Sequence, residues 1–259
     1  MSCDVLLGDC LAIMKSISDG SVDLVVTSPP YNIGKEYEQK SSLDYYLQWQ
    51  NEVIQECVRI LKPNGSICWQ VGNYIENGSV YPLDCVLFPF FIKQGLLPRN
   101  RIIWRFGHGL HCKKRFSGRH ETILWFTKGS NYEFYLDEVR IPQKYPGKKH
   151  YKGVNKGELS CNPLGKNPED VWDITNVKSN HVEKTAHPCQ FPVELPERLI
   201  KALCPKGGMV LDPFMGSGTT GIACIQTSRK FIGIEKDVKY YEIAKNRISN
   251  THKQIDIFT

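Results

Sequence analysis

Val210-Leu211-Asp212-Pro213-Phe214-Met215-Gly216-Ser217-Gly218-Thr219-Thr220 decides the fold. It reads as a strand running into a turn with two glycines and then into a helix. Gly216 and Gly218 free the backbone to pass close to a ligand at a helix N-terminus. The turn is neither G-x-G-x-x-G nor a phosphate-binding G-x-x-x-x-G-K-[ST]. The next strand, Phe231-Ile232-Gly233-Ile234, ends in Glu235. An acid at the end of the second strand is how such folds hold ribose hydroxyls. A two-glycine turn is a weak signal alone. Joined to strand-end Asp212 and Glu235 it is a strong one.

The same rhythm extends outward. Gly208 to Leu211 forms the strand, and the helix after the turn runs to Thr227. Val238 to Ser249 is a last helix, and Phe191 to Leu195 opens a helix that reaches Ala202. Toward the N-terminus, Asp4 to Leu7 is a strand, Leu11 to Ile17 has helical spacing, and Val22 to Val26 is a β-branched strand. Asn32 to Ser42 is polar and reads as a mobile loop. Leu43 to Leu61 is an amphipathic helix stopped by Lys62-Pro63-Asn64-Gly65, a turn signature. Ser66 to Val71 is a strand, and Tyr81 to Gln94 a largely apolar helix. Arg101 to Trp104 and Thr122 to Phe126 are two more strands. The alternation predicts an α/β fold, a doubly wound, mostly parallel seven-stranded sheet with helices on both faces.

Residues 127–186 break the rhythm, with only short strand-like pieces such as Tyr132 to Val139. They read as an inserted lobe. Three regions are expected: 1–106 and 187–259 as the halves of the α/β domain, and 107–186 as a basic inserted region that includes a sheet strand near 122–126.

A chain of 259 residues with 41% hydrophobic content buries a full core. No apolar run is long enough for a membrane span. The N-terminus lacks a basic start and an apolar signal core. Ten cysteines stand singly with no C-x-x-C, so reduced thiols in a cytoplasmic protein are expected. Charge is unevenly placed. Arg105 to Lys156 holds twelve Lys/Arg against four acids, a surplus of eight in a chain of net charge +6. That concentration suggests a polyanion partner. A solvated lysine-rich loop is the competing account. Lys113, Lys114, Arg115, Arg119, Lys148 and Lys149 are the candidate nucleic-acid contacts. His108-x-x-His111-Cys112 has no second ligand pair, so no metal site is expected. Trp104, Trp125 and Trp172 read as packing residues.

The second decisive stretch is Thr27-Ser28-Pro29-Pro30-Tyr31. Each proline fixes its own φ and lacks an N–H, and Pro30 keeps Pro29 out of the helical region. The backbone is stiff and extended just past a strand end. Ser28 Oγ and the Pro29 carbonyl then stand as two acceptors for the hydrogens of an NH2 group, with the ring of Tyr31 to stack on. A plain Pro-Pro turn is the bland alternative.

Taken together, Thr-Ser-Pro-Pro-Tyr and Asp-Pro-Phe-Met-Gly-Ser-Gly-Thr-Thr resemble the S-adenosylmethionine-dependent DNA amino-methyltransferases. The amine motif comes first, the basic segment second and the Gly-rich motif last. That order is similar to the family's β class, a circular permutation of the Rossmann-like methyltransferase fold. The resemblance covers nearly the whole chain. It implies catalytic roles for Ser28, Pro29, Pro30 and Tyr31. It implies cofactor binding by Asp212, Pro213, Phe214, Gly216, Gly218 and Thr219, with Glu235 on the ribose. Gly8 and Asp9 match a family acid near the cofactor's adenine. His187-Pro188-Cys189-Gln190-Phe191-Pro192 resembles a family segment that usually has Lys where Phe191 stands. The resemblance places the strands at Val210–Leu211 and Val22–Val26 side by side, where a doubly wound sheet binds ligands.

The implied partners are S-adenosylmethionine and double-stranded DNA, with a possible cognate restriction endonuclease. The oligomeric state stays open. The target base must leave the duplex, and Tyr31 is the natural stacking partner. Ser-Pro-Pro-Tyr is commoner in the family among cytosine-N4 enzymes, so the resemblance implies cytosine N4 as the expected target, with adenine N6 as the alternative. Asn32 after the tyrosine is frequent among adenine-N6 enzymes. A DNA-binding module would explain the basic segment but not the Gly-rich loop. An RNA methyltransferase is a further alternative. Protein-amide methylators place the Gly-rich loop first.

Overall fold

The computed structural model describes residues 2–36 and 38–258. The elements in chain order are β1 (Cys3–Leu7), α1 (Cys10–Met14), β2 (Val22–Thr27), α2 (Leu43–Ile60), β3 (Leu61–Val71), β4 (Asn73–Glu76), β5 (Ser79–Pro82), α3 (Leu83–Lys93), β6 (Leu97–Arg105), β7 (His120–Thr127), β8 (Val171–Asp173), α4 (Glu194–Leu203), β9 (Met209–Asp212), α5 (Thr219–Gln226), β10 (Lys230–Glu235) and α6 (Val238–Phe258). One sheet carries eight strands in the order β1-β10-β9-β2-β3-β7-β6-β8. Every neighbouring pair is parallel except β3–β7 and β6–β7. So β7 alone among the described strands of this sheet runs against the rest.

The two-residue period of the strands splits the core into two faces. Leu24, Val26, Cys68, Ile123 and Trp125 join Leu199, Ile222 and Ala244 under α4, α5 and α6. Val25, Ile67, Trp69, Leu124 and Phe126 join Met14, Ile54 and Phe91 under α1, α2 and α3. All six residues of β2 are buried, which a strand covered on both faces requires.

Four expectations change. The sheet has eight strands rather than seven, because the inserted region returns Val171–Asp173 to pair with β6 at the edge. Tyr132 to Val139 is not a strand. It holds a short 3₁₀ turn, Leu136–Glu138, and Tyr135 N–H donates to the Ala202 carbonyl of α4 at 2.7 Å. Lys62 to Gly65 does not close α2 as a free turn. Val22 faces Leu61 and Leu24 faces Ser66, so these four residues bulge within β3. Between β3 and α3 lies the hairpin β4–β5, whose turn places Asn77 at φ 50° and Gly78 at φ 82°. Asn-Gly is the pair that a tight hairpin favours.

The inserted region shares the main core. Val139, Trp172 and Ile174 pack in the cluster with Trp104 and Leu195. Trp104 Nε1 donates to the Ile174 carbonyl at 2.9 Å. Trp104, Trp125 and Trp172 are all buried. No described helix is long and apolar enough to cross a membrane.

Candidate active site

The C-terminal ends of β9 and β2 lie together, with Leu24 opposite Val210 and Val25 opposite Leu211. This brings together residues 185 positions apart: Thr27 Oγ1 donates to Asp212 Oδ1 at 2.6 Å. The same oxygen accepts the Phe214 N–H at 3.1 Å, and Asp212 Oδ2 accepts Thr220 Oγ1 at 2.6 Å. Asp212 has no exposed surface. Burial pushes its carboxyl up to about 6, against the three hydrogen bonds. Its carboxylate is therefore a clamp between two strand ends, the Gly-rich turn and the start of α5.

Beyond the clamp, Gly216 sits at φ 51° and its N–H donates to Glu235 Oε2 at 3.0 Å. Glu235 Oε1 accepts the Asp237 N–H at 2.8 Å, and burial raises its carboxyl above the ordinary value. Gly8 N–H donates to the Glu235 carbonyl at 2.9 Å, and exposed Asp9 caps α1 through Ala12 N–H at 3.1 Å. Phe214 packs against Trp49 and Trp69, with ring centres 5.4 and 6.3 Å away. Pro213 is buried.

Gly218 answers a different need from the ligand approach expected of it. Its φ is 79°, and a Cβ there would stand 2.9 Å from Ala244 Cβ on α6. Thr219 begins α5, and Arg247 Nη1 donates to its Oγ1 at 3.3 Å and to the Ser217 carbonyl at 2.6 Å. The chemistry of this rim suits a cationic sulfonium with a ribose and an adenine. It offers the carboxylate of Asp9 just after the C-terminal end of β1, that of Glu235 at the end of β10, and the half-buried ring of Phe214 after β9.

On the β2 side, Ser28 Oγ lies 3.1 Å from the Tyr31 hydroxyl. Gln70 Nε2 donates to that hydroxyl at 2.7 Å, and the hydroxyl donates to Glu121 Oε2 at 3.1 Å. Gln70 Nε2 also contacts Glu121 Oε2. The Pro30 carbonyl accepts Tyr46 Oη of α2 at 2.8 Å. Among the described residues the Pro29 carbonyl accepts no hydrogen bond. Burial pushes the Glu121 carboxyl up to about 7, while the bonds from Tyr31 and Gln70 pull it down. Burial and Glu121 together hold the Tyr31 hydroxyl well above its ordinary value.

The sequence reading missed Gln70 and Glu121. Each is a polar residue in an apolar strand, which is the signal that could have found them. Antiparallel β7 delivers its N-terminal end to the edge where its neighbours deliver their C-terminal ends. Gln70 lies opposite Ile123, so Glu121 falls just beyond the end of β3. Gly72 keeps this space open: a Cβ there would be 3.0 Å from Tyr31 Cε2 and 3.3 Å from Glu121 Oε1.

Asn32 to Ser42 is a knit loop rather than a free one. Asn32 is buried at φ 59°, and its amide exchanges hydrogen bonds with the Ser41 carbonyl and N–H, both at 2.8 Å. Glu38 accepts the N–H groups of Asn32 and Ile33.

The basic candidates form two patches. Lys113, Lys114 and Arg115 are exposed in the β6–β7 loop, beside exposed Leu110 and Phe116. That loop leaves the sheet at the Arg105–His120 pair, on the same edge as Glu121. Arg119 is folded onto its own loop, with Nη1 donating to the Leu110 and Gly118 carbonyls. Lys148 and Lys149 are exposed in the inserted region and line a cleft with Tyr145 and Tyr151. Lys149 is bridged to Leu159.

A doubly wound, mostly parallel sheet with Ser-Pro-Pro-Tyr and a Gly-rich loop on adjacent strand ends has the architecture of a Rossmann-like methyltransferase. Comparisons with known proteins agree. The N6/N4 family model described as DNA methylase matches residues 22–246. Type II methyltransferase M.BglII of Bacillus subtilis is 52% identical over 243 residues, covering 93% of this chain and 68% of that protein. DNA adenine methyltransferase YhdJ of Escherichia coli is 36% identical, covering 94% and 82%. Among solved structures, the cytosine-N4-specific PvuII DNA methyltransferase matches with a TM-score of 0.74 at 23% identity, over 96% of this chain and 90% of that one. TTHA0409 of Thermus thermophilus, solved with S-adenosyl-L-methionine, matches with a TM-score of 0.69 at 27% identity, over 96% of each chain. The chain belongs to the N6/N4 DNA methylase family, the S-adenosylmethionine-dependent DNA methyltransferases that act on base amines.

Proposed function

We propose that this protein methylates the N4 amine of a cytosine flipped out of double-stranded DNA, with adenine N6 as the second reading. The observation that carries the proposal is the Thr27–Asp212 hydrogen bond, which ties the amine holder to the Gly-rich loop across two strand ends. Ser28 Oγ and the unengaged Pro29 carbonyl accept the two amine hydrogens. That pairing favours a tetrahedral nitrogen with a localised lone pair. Pro30 is held by Tyr46 and keeps the backbone stiff. Tyr31, anchored by its hydroxyl, presents its ring to the flipped base.

Asp9, Phe214, Gly216 and Glu235 hold S-adenosylmethionine, whose sulfonium supplies the methyl group and gains an electron pair when it leaves. Pro213, Gly218 and Thr219 shape that loop, and Asp212 fixes it to β2. Placing the amine beside the donor loop provides the proximity on which the rate depends. Lys113, Lys114, Arg115, Lys148 and Lys149 contact the DNA backbone, joined by Arg119 where its loop meets the duplex.

Asn32 supports cytosine over adenine only by withdrawing its vote. Its amide is spent on Ser41, so Ser28 is left as the base-side signal. YhdJ supports the adenine reading, because that relative is a DNA adenine methyltransferase. The Type II names among the relatives support a role in restriction–modification, beside an endonuclease of the same specificity.

Nucleoside mass analysis of DNA treated with the purified protein tests the base. N4-methylcytosine is expected, N6-methyladenine establishes the second reading, and unmodified DNA refutes both. Ser28→Ala should lower single-turnover methyl transfer by about 10²–10³, by analogy with losing one preorganised hydrogen-bond partner. Cofactor affinity by calorimetry should stay at the parental value. A parental transfer rate would reduce Ser-Pro-Pro-Tyr to a turn.

A further inference from the structure

We propose that Glu121 is the positioning residue of a hydrogen-bond relay, Glu121–Tyr31–Ser28, that fixes Ser28 as an acceptor and drains the proton the amine loses. The inference rests on the amine-holder reading and extends it to a residue on another strand.

Donor and acceptor counting sets the direction. The Tyr31 oxygen lies 3.1 Å from Ser28 Oγ, 2.7 Å from Gln70 Nε2 and 3.1 Å from Glu121 Oε2. An amide nitrogen only donates, and an ionised carboxylate only accepts. Tyr31 therefore gives its one proton to Glu121. Its lone pairs take Gln70 and, by elimination, the Ser28 proton. With that proton committed, the lone pairs of Ser28 Oγ are free for an incoming N–H. A neutral Glu121 breaks the order. The Tyr31 proton can then turn toward Ser28, whose own proton turns toward the amine and meets another donor.

The same chain disposes of a proton. As the nitrogen forms its bond to the methyl carbon, the carbon–sulfur bond breaks and its electron pair stays on sulfur. The nitrogen now carries an extra bond and a positive charge. Its N–H proton passes to Ser28 Oγ, the Ser28 proton to Tyr31 Oη, and the Tyr31 proton to Glu121 Oε2. The products are a neutral methylated amine, unchanged Ser28 and Tyr31, and a neutral Glu121 that returns its proton to water.

Three features of the fold favour this role. Gly72 leaves room for the Tyr31 ring and the Glu121 carboxyl to meet. Gln70 holds both acceptors from one nitrogen. The groups that act on the Glu121 carboxyl besides burial are Tyr31 and Gln70, neither of them a cation. From β3 it faces Gln70 and Gly72, neither of which titrates, and across β6 it pairs with Trp104. From the loop after β2 it faces Tyr31, whose far side feels Cys189. A carboxyl raised to about 7 by burial can take a proton and release it near neutral pH.

The test uses the full chain, duplex DNA and radiolabelled S-adenosylmethionine, with Glu121→Gln and Tyr31→Phe beside the parent. The parental single-turnover rate should rise with pH through about 7 and then level. Glu121→Gln should be slower by roughly 10²-fold at the plateau and lose the acid limb. Tyr31→Phe keeps the ring, cuts the relay and should lose the limb as well. Calorimetric affinity for S-adenosylmethionine should be parental in both. In the absence of any substrate, infrared titration of the parent should show carboxyl absorption that vanishes between roughly pH 6 and 8. The component centred near 7 should be missing from Glu121→Gln, while the component of Asp212 near 6 stays.

A parental rate in Glu121→Gln overturns the proposal. So does a slow variant that keeps the acid limb, or a carboxyl titration identical in the parent and Glu121→Gln. If Glu121→Gln does not fold, the rate and pH profile of Tyr31→Phe decide: a parental rate or a retained acid limb overturns the relay. Ser28→Ala separates the two layers. A parental rate there sinks the amine holder itself, whereas slow Ser28→Ala with normal Glu121→Gln sinks only the relay.

Discussion

Asp212 offers a sharp test, because two substitutions at one atom position should move stability in opposite directions. The buried carboxylate accepts three donors: Thr27 Oγ1, Thr220 Oγ1 and the Phe214 N–H. Asp212→Ala strands all three. A buried group left without its partner costs about 1–3 kcal/mol. The two threonine hydroxyls can rotate toward other acceptors, but the Phe214 N–H cannot. A total loss of about 3 kcal/mol follows, or a fall in Tm of roughly 6–12 °C for a chain of this size. Asp212→Asn keeps the shape. Its carbonyl oxygen can serve Thr27 and Phe214, while its NH2 donates to Thr220 Oγ1, whose own proton turns away.

The pH dependence carries the sign. Folding raises the Asp212 carboxyl from its ordinary 3.8 to about 6. The neutral form is thus favoured in the fold. Stability from this group is fully present below the unfolded value and is lost as pH rises through about 6. The loss amounts to roughly 3 kcal/mol at pH 8. Asp212→Asn never ionises, so it should match the parent near pH 4 and be more stable by up to about 3 kcal/mol at pH 8. Urea unfolding at both pH values measures this, and the difference between the two proteins isolates Asp212 from Glu121 and Glu235. Cofactor affinity should hold in Asp212→Asn and fall in Asp212→Ala, where the loop loosens. The reasoning fails if both variants lose stability equally, or if both keep stability and lose cofactor alike. The second outcome would make Asp212 a direct cofactor ligand.

Neutralising Lys113, Lys114 and Arg115 together should flatten the salt dependence of DNA binding by about 2–3 in slope, if each meets one phosphate. Cofactor binding should not change. An unaltered slope in a fluorescence-anisotropy titration would move DNA contact to Lys148 and Lys149. Gly218→Ala should destabilise by about 1–3 kcal/mol, because φ 79° strains an L residue and its Cβ would press on Ala244. Thermal unfolding at parental Tm would show that α6 gives way freely.

The sheet was legible because its signals are local. Val22 to Val26 and Gly208 to Leu211 are short, largely apolar runs bounded by turns, as strands buried on both faces read. The eighth strand was not legible. Val171-Trp172-Asp173 is three residues long and owes its conformation to pairing with β6. Lys62 to Gly65 misled because Pro-Asn-Gly reads as a chain reversal, yet four residues bulging against β2 meet the same local demands. The Asn77-Gly78 hairpin was written plainly and passed over. Ser28, Asp212 and Glu235 stand at strand ends, where the sequence reading expected them. Gln70 and Glu121 show only as polar residues in apolar strands, and their meeting depends on antiparallel β7 reaching the edge that parallel β3 reaches from the other direction. Long-range pairing of that kind leaves no trace in spacing.

On the proposed reading the site has two halves, which meet along the paired strands β2 and β9 and share the Thr27–Asp212 contact at their ends. The cofactor side is fixed by backbone: Gly216 N–H on Glu235, Phe214 N–H on Asp212, and the Gly8 N–H on the Glu235 carbonyl. The amine side is fixed by side chains: Tyr46 on Pro30, Gln70 and Glu121 on Tyr31, and Tyr31 on Ser28. Thr27 belongs to the second half and Asp212 to the first, and the bond between them is fully buried. Methyl transfer needs the nitrogen and the methyl carbon in line within a fraction of an ångström. The Thr27–Asp212 hydrogen bond, one residue before Ser28 and at the root of the Gly-rich loop, helps to hold that alignment. Thr27→Val should therefore keep the fold's shape but slow transfer more than it weakens either ligand, because it frees one half to shift against the other.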